Sequence, residues 1–191
     1  MTLEIERKFL LDGPPAMPEG AEALMIEQGY LPPDAGPESP DHAGPDALGR
    51  SGSEGRPHSA QADDHTEGRL RRITTAAGEV HYQHTIKEGA GLVRRETNRS
   101  ITAAEFESLW PRTAGRRLTK TRWRVREGDV VWEIDHIEDP EVDLAEVELP
   151  RADAQVEIPP WLSPRIVREV TDDPAFTNYE LAMRLVKEGG V

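Results

Sequence analysis

At 191 residues, with 36 Asp and Glu against 23 Lys and Arg, the chain carries a net charge of −13. That balance excludes a general nucleic-acid binder, whose affinity rests on clustered Lys and Arg. The absence of Cys excludes a disulfide framework, a thiolate metal site and a thiol nucleophile. A small polyanionic ligand stays admissible, because local clusters rather than the total decide its binding. No apolar run approaches the roughly 18 residues of a membrane span, and the first residues are charged rather than an apolar signal core. The expectation is a soluble, cytoplasmic protein with no membrane or nucleic-acid partner; a homodimer stays open. A hydrophobic content of 36% with 16 Gly and 16 Pro points to a single domain over residues 1–191, with one segment that does not pack.

In chain order, Glu4-Ile5-Glu6-Arg7-Lys8-Phe9 reads as a strand. Alternation puts Glu4, Glu6 and Lys8 on one face, and Leu3, Ile5 and Phe9 with the stem of Arg7 on the other. Asp12-Gly13-Pro14-Pro15 breaks it. Leu24 to Leu31 is a second strand with Ile26, Gln28 and Tyr30 on one face, stopped by Pro32-Pro33. Residues 33–67 then hold five Pro, five Gly and eight acids against two Arg. Such a stretch cannot bury enough apolar surface to offset its conformational entropy, so it reads as a disordered acidic insert between two strands. His42, His58 and His65 within it lie near Asp residues, but no spacing fixes a coordination geometry and a solvated linker is the reading.

Order returns with Arg69, Arg71 and Ile73 on one face and Leu70 and Arg72 opposite. A turn at Gly78 leads to a strand aligning Gln83, Thr85 and Lys87, and Gly89-Ala90-Gly91 to one aligning Arg94, Glu96 and Asn98. Thr102 followed by Glu105 is a capping box opening a short helix, with Phe106, Leu109 and Trp110 as its core stripe. The next strand is the most basic, Lys120, Arg122, Arg124 and Arg126 alternating with Thr121, Trp123 and Val125. Its acidic surroundings and the lack of a stacking module argue against a nucleic-acid surface. Two more strands follow, one with Glu133 and Asp135 on a face, one with Glu146 and Glu148. A helix from about Pro174 to Lys187 ends the pattern, its buried face built from Phe176, Tyr179, Leu181, Ala182, Leu185 and Val186.

Sorted by face, the strands offer cations Lys8, Arg69, Arg71, Lys87, Arg94, Lys120, Arg122 and Arg124, and carboxylates Glu4, Glu6, Glu96, Asp135, Glu146 and Glu148. Burying either set alone would cost several kcal/mol per charge. Internal ion pairs, or a bound polyanion with divalent metal, would resolve that cost. Arg forks suit phosphate oxygens, and grouped carboxylates suit Mg²⁺ or Mn²⁺. A closed barrel with an apolar outside and a charged lumen satisfies every strand at once. The fold expected is therefore α+β, an eight-stranded antiparallel β-barrel with flanking helices.

The opening Glu4-x-Glu6-Arg7-Lys8-Phe9, Gln28-Gly29-Tyr30-Leu31, Arg69-Leu70-Arg71, Thr85-Ile86-Lys87, Arg94-Arg95-Glu96, Lys120-Thr121-Arg122, Trp132-Glu133-Ile134-Asp135, Glu146-Val147-Glu148 and Glu169-Val170-Thr171 resemble the CYTH family, the triphosphate tunnel metalloenzymes. The resemblance spans most of the chain outside the insert. It implies a tunnel open at both ends and metal-dependent hydrolysis of inorganic tripolyphosphate. Hydrolysis of thiamine or nucleoside triphosphates, or ATP cyclisation of the class IV adenylate cyclase kind, stays open, as does a polyphosphate sensor without catalysis. Glu4, Glu6, Glu146 and Glu148, with Asp135, match the family's metal-binding acids. Arg69, Arg71, Lys87, Arg94 and Arg122 match its phosphate-binding cations, and Lys8 with Tyr30 matches a proposed water-activating pair. Ringed by Arg69, Arg71 and Arg122, Lys8 is expected to have a lowered pKa, with Glu6 and bound phosphate opposing. Asn98 and Ser100 stand where the family often has Glu, and Arg168 where a Lys is common; Arg168 keeps the charge and counts among the substrate-binding candidates.

Overall fold

Alternating strands that each bury something on both faces need cover on both sides, and that requirement shapes this molecule. The computed structural model describes residues 5–32, 68–88, 95–149, 151 and 154–188, with the side chains of 5, 86–88, 95–97 and 185–188 excepted. The acidic insert, with its three His residues, and the expected site residues Glu4 and Arg94 lie outside the described residues, as do the side chains of Lys87 and Glu96.

Nine strands form one sheet: β1 (Ile5–Leu11), β2 (Glu22–Leu31), β3 (Gly68–Thr75), β4 (Val80–Glu88), β5 (Arg95–Ser100), β6 (Arg117–Glu127), β7 (Val130–Glu138), β8 (Glu141–Leu149) and β9 (Ile166–Glu169). Their order is β5-β4-β3-β2-β6-β7-β8-β1-β9, with antiparallel pairing throughout. The α+β class holds. The closed eight-stranded barrel does not, because both edges of β1 are filled, by β8 on one side and β9 on the other. β5 is left at an edge, with β4 its one partner among the described residues. The four residues of β9 carry too short an alternation to read as a strand beforehand.

The outer face is apolar, as the alternation predicts, and is covered in two places. Helix α1 (Ala103–Leu109) is capped by Thr102, whose side chain accepts from the Glu105 backbone while Glu105 returns a bond to the Thr102 N–H. It sets Phe106 against Leu31, Leu70 and Ile101. The 3₁₀ turn Trp110–Thr113 then lies against β2 at Gly29, where a Cβ would sit 2.6 Å from Thr113 Oγ1 and 2.8 Å from the Trp110 ring. Only glycine admits that approach. Elsewhere on this face Phe9, Trp132, Ile134 and Val147 pack under Leu162.

The inner face is not charged from end to end, contrary to expectation. At one end Leu10, Tyr30, Leu118, Ile137 and Leu144 form an apolar floor on which α2 (Asn178–Glu188) seats Leu181 and Ala182. The helix starts four residues later than the pattern predicts. Asp173 caps a separate 3₁₀ turn, Pro174–Phe176, and the Thr177 hydroxyl accepts from the Glu180 N–H to open α2. Beyond that floor the inner face turns charged.

Candidate active site

β6 sets the gradient. Its inner-face residues run from buried Leu118 through Lys120, 0% exposed, and Arg122, 7% exposed, to exposed Arg124. In register across from Arg122 stands Asp135 on β7. Lys120 Nζ donates to Asp135 Oδ2 at 2.6 Å, while Arg122 places Nε 2.6 Å from Oδ1 and Nη2 2.6 Å from Oδ2. Arg122 Nη2 also donates to Glu146 Oε2 at 2.8 Å, and Nη1 to Glu133. Burial alone would raise the Asp135 pKa, but Arg122 and Lys120 outweigh it and hold the carboxylate well below its usual range. The opposite imbalance acts on Lys120: burial and Arg122 push it down to about 8 against the pull of Asp135.

On β1 the inner face carries Glu6 and Lys8, paired in register with Glu148 and Glu146 of β8. Lys8 Nζ lies 2.9 Å from Glu146 Oε1 and 3.9 Å from Glu6 Oε1, and reaches the Phe176 carbonyl at 3.4 Å. The expected lowering of Lys8 is reversed. Burial does pull its pKa down, but Glu146 and Glu6 prevail and raise it. Glu146, buried, is lowered chiefly by Lys8, with Arg122 adding. Facing these acids, β3 presents Arg69 and Arg71. Burial, Arg69 and Arg122 together push Arg71 down to about 9. Burial is the larger cause, and a bound anion would offset the crowding by Arg69 and Arg122 that adds to it.

These side chains wall one cavity of about 760 Å³. The expected site residues Glu6, Lys8, Tyr30, Arg69, Arg71, Arg122, Arg124, Glu146 and Glu148 all line it. Three do not. Lys120 and Asp135 lie beneath the wall as a buried ion pair, so each serves to fix Arg122 rather than to reach a ligand. Both oxygens of Asp135 are paired with cations, and unlike Glu146, whose two oxygens are also paired, it does not line the cavity. Arg168 sits on β9, bonded to Asp173 at 2.9 Å and stacked on Phe176 at 5.2 Å, away from the cavity.

The wall also holds Gln83, Asn98, Glu133, Thr177 and Asn178, which the sequence left unassigned. Gln83, Asn98 and Glu133 share inner faces with assigned residues, so the strand alternation already placed them. Thr177 followed by Glu180 is a second Thr-x-x-Glu, the signal that would have put the start of α2 here.

Glu6 and Glu148 stand directly opposite each other on adjacent strands. Like charges so placed repel, and with Glu146 they offer hard oxygen donors of the kind a small divalent cation takes. Among the described residues no three His, Cys, Asp or Glu side chains are gathered as a metal cluster. By donor type alone these acids fit a divalent cation, while Glu4, the fourth acid, lies outside the described residues.

No family model matches the chain. An inorganic triphosphatase of Nitrosomonas europaea is 33% identical over 190 residues, covering 95% of this chain and 98% of that protein. The crystal structure of an inorganic triphosphatase aligns over 96% of both chains with a TM-score of 0.54 at 28% identity. A second solved structure, of a protein named as hypothetical, covers 94% of this chain and 97% of its own, with a TM-score of 0.53 at 29% identity. No helix among the described residues is long and apolar enough to cross a membrane.

Proposed function

The chain belongs to the CYTH family, the triphosphate tunnel metalloenzymes, and from that premise we propose that it hydrolyses inorganic tripolyphosphate in this cavity with Mg²⁺ or Mn²⁺. One observation carries the reading: a single cavity wall holds Arg69, Arg71, Arg122 and Arg124 together with Glu6, Glu146 and Glu148. Hydrolysis at phosphorus demands mainly positioning and charge neutralisation, and these two sets divide that work.

Arg69 and Arg71 bind terminal phosphate oxygens through their planar forks. Arg122 presents its guanidinium in one fixed pose, because Asp135 beneath the wall and Glu146 beside it in the wall both bind it. Glu6, Glu146 and Glu148 would hold a divalent cation, which on binding supplies charge neutralisation at the phosphate oxygens and in-line alignment. Lys8 and Tyr30 are the groups proposed to attend the attacking water. With its pKa raised, Lys8 is an ammonium in the substrate-free protein, so it contributes positive charge at the reacting centre. Tyr30, its ring held edge-on by Tyr179 at 5.2 Å, brings a hydroxyl to the same cavity.

The test is turnover on a panel of tripolyphosphate, thiamine triphosphate and ATP with Mg²⁺ or Mn²⁺, with EDTA controls. Phosphate release from tripolyphosphate that stops with EDTA supports the reading. Cyclic AMP formation would move the chain to a cyclase, and binding without turnover would leave a polyphosphate sensor.

A further inference from the structure

Gln28 is fully buried on the inner face of β2, two residues before Tyr30, and is not part of the cavity wall. Two bonds engage its amide. Arg71 Nε donates to its Oε1 at 2.9 Å, and its Nε2 donates to the Tyr30 hydroxyl oxygen at 2.7 Å. Chemistry fixes this direction. A guanidinium has only donors, so the amide end facing Arg71 must be the carbonyl, and the end facing Tyr30 must be the NH₂. The phenol oxygen is therefore an acceptor in this bond, and its single proton must point away from Gln28. Tyr179 stands edge-on against the Tyr30 ring at 5.2 Å between centroids.

We infer that Gln28 is a positioning residue: it fixes the Tyr30 hydroxyl as a hydrogen-bond donor and ties that orientation to the phosphate-binding Arg71. The inference rests on the proposed hydrolysis. A polyanion drawn to Arg71 strengthens the pose of the same Nε–H that holds the amide. Substrate binding and the orientation of the hydroxyl beside the attacking water are in this way parts of one hydrogen-bonded line.

The experiment compares Gln28→Glu and Gln28→Met with wild type and Tyr30→Phe, and adds the double variant Gln28→Met/Tyr30→Phe. Ionised, a glutamate accepts from both neighbours and turns the phenol proton toward itself. Protonated, it reproduces the amide pattern, with a carbonyl toward Arg71 and a donor toward Tyr30. Gln28→Glu is expected to lose about tenfold or more in kcat at neutral pH with a much smaller change in KM, and to recover relative to wild type as pH falls. The double variant is expected to be no slower than Tyr30→Phe. With three Tyr in the chain, the ¹³Cζ resonance of Tyr30 can be assigned by Tyr30→Phe, and it is expected to shift in Gln28→Met whether or not substrate turns over. Wild-type kcat in Gln28→Met with an unmoved Tyr30 resonance, or additive losses in the double variant, would overturn the inference and leave the proposed hydrolysis standing. A wild-type protein inactive on tripolyphosphate would sink that hydrolysis, and with it any part for Gln28 in it.

Discussion

Lys8 and Glu146 face each other in register across β1 and β8, with Nζ 2.9 Å from Oε1. The pairing settles how Lys8 titrates. Its folded pKa lies above the ordinary value of 10.5, so the stability it contributes is whole below that value and lost as pH rises through the raised one. From neutral pH to about 10, log kcat/KM is expected to show no rising limb that depends on Lys8. Wild type and Lys8→Arg should therefore give parallel profiles over that window. A unit-slope rise present in wild type and missing from Lys8→Arg would place an unprotonated Lys8 in the reaction.

Asp135 and Glu148 should separate stability from activity. Asp135→Asn strips a buried counter-ion from Lys120 and Arg122 and is expected to cost about 3–5 kcal/mol, roughly 6–20 °C in melting midpoint at this length. Glu148→Gln changes an exposed residue of the cavity wall and should move stability by less than about 0.5 kcal/mol. Its effect is expected in turnover, down by about tenfold or more if it serves a metal. Equal effects of the two variants on both measurements would undo this division.

Acid should act through two buried carboxylates of the inner face. Asp135 and Glu146 are depressed, so their contribution is present above the unfolded values near 4 and lost as pH falls through the folded ones. Melting midpoints are expected to fall steadily below about pH 4, with a flatter decline in Asp135→Asn. Parallel acid curves would show that other groups drive the transition.

Ligand binding can be read without catalysis. In EDTA, tripolyphosphate at about 100 times its Kd is expected to stabilise the protein by about 2.7 kcal/mol, while turnover stays absent. Arg71→Met removes a cation crowded by Arg69 and Arg122 but also strips the buried Gln28 carbonyl of its donor, so the ligand-free protein is expected to lose up to about 1–3 kcal/mol. It should also lose most of the tripolyphosphate shift. A full shift in Arg71→Met would take that residue out of phosphate binding.

Gly29→Ala drives a methyl into Thr113 and Trp110 and should cost about 1–3 kcal/mol. Because Gly29 separates Gln28 from Tyr30, turnover should fall with it. Gly78→Ala, at a turn with φ +83° and open space around it, should cost about 1–2 kcal/mol and leave turnover alone. Thermal melts and initial rates on the two variants check both halves.

Period-two alternation made most of the inner wall legible, since it sorts Glu6 with Lys8, Arg69 with Arg71, and Glu146 with Glu148 before any contact is known. It carries no depth along a strand. Lys120 and Arg124 share a face with Arg122, yet one ends beneath the cavity and the other at its rim, and only the packing of α2 over Leu118 decides which. Nor does alternation reveal sheet closure. A four-residue strand, β9, took the edge of β1 that a barrel would have needed. Hydrogen-bond direction was equally out of reach: the Gln28 amide gains its polarity from Arg71, on a different strand.

β1 pairs with no strand near it in sequence; its paired residues begin at Leu144 on β8 and continue at Ile166 on β9. During synthesis the segment bearing Glu6 and Lys8 emerges well before either of its partners, while β2 to β7 join through β2–β3, β2–β6 and successive hairpins. Contacts of such long sequence separation form late and slowly. A growing chain is then a half-built sheet with its cationic strands in place and its acidic wall missing, able to attract polyanions before it has the groups proposed to cleave them.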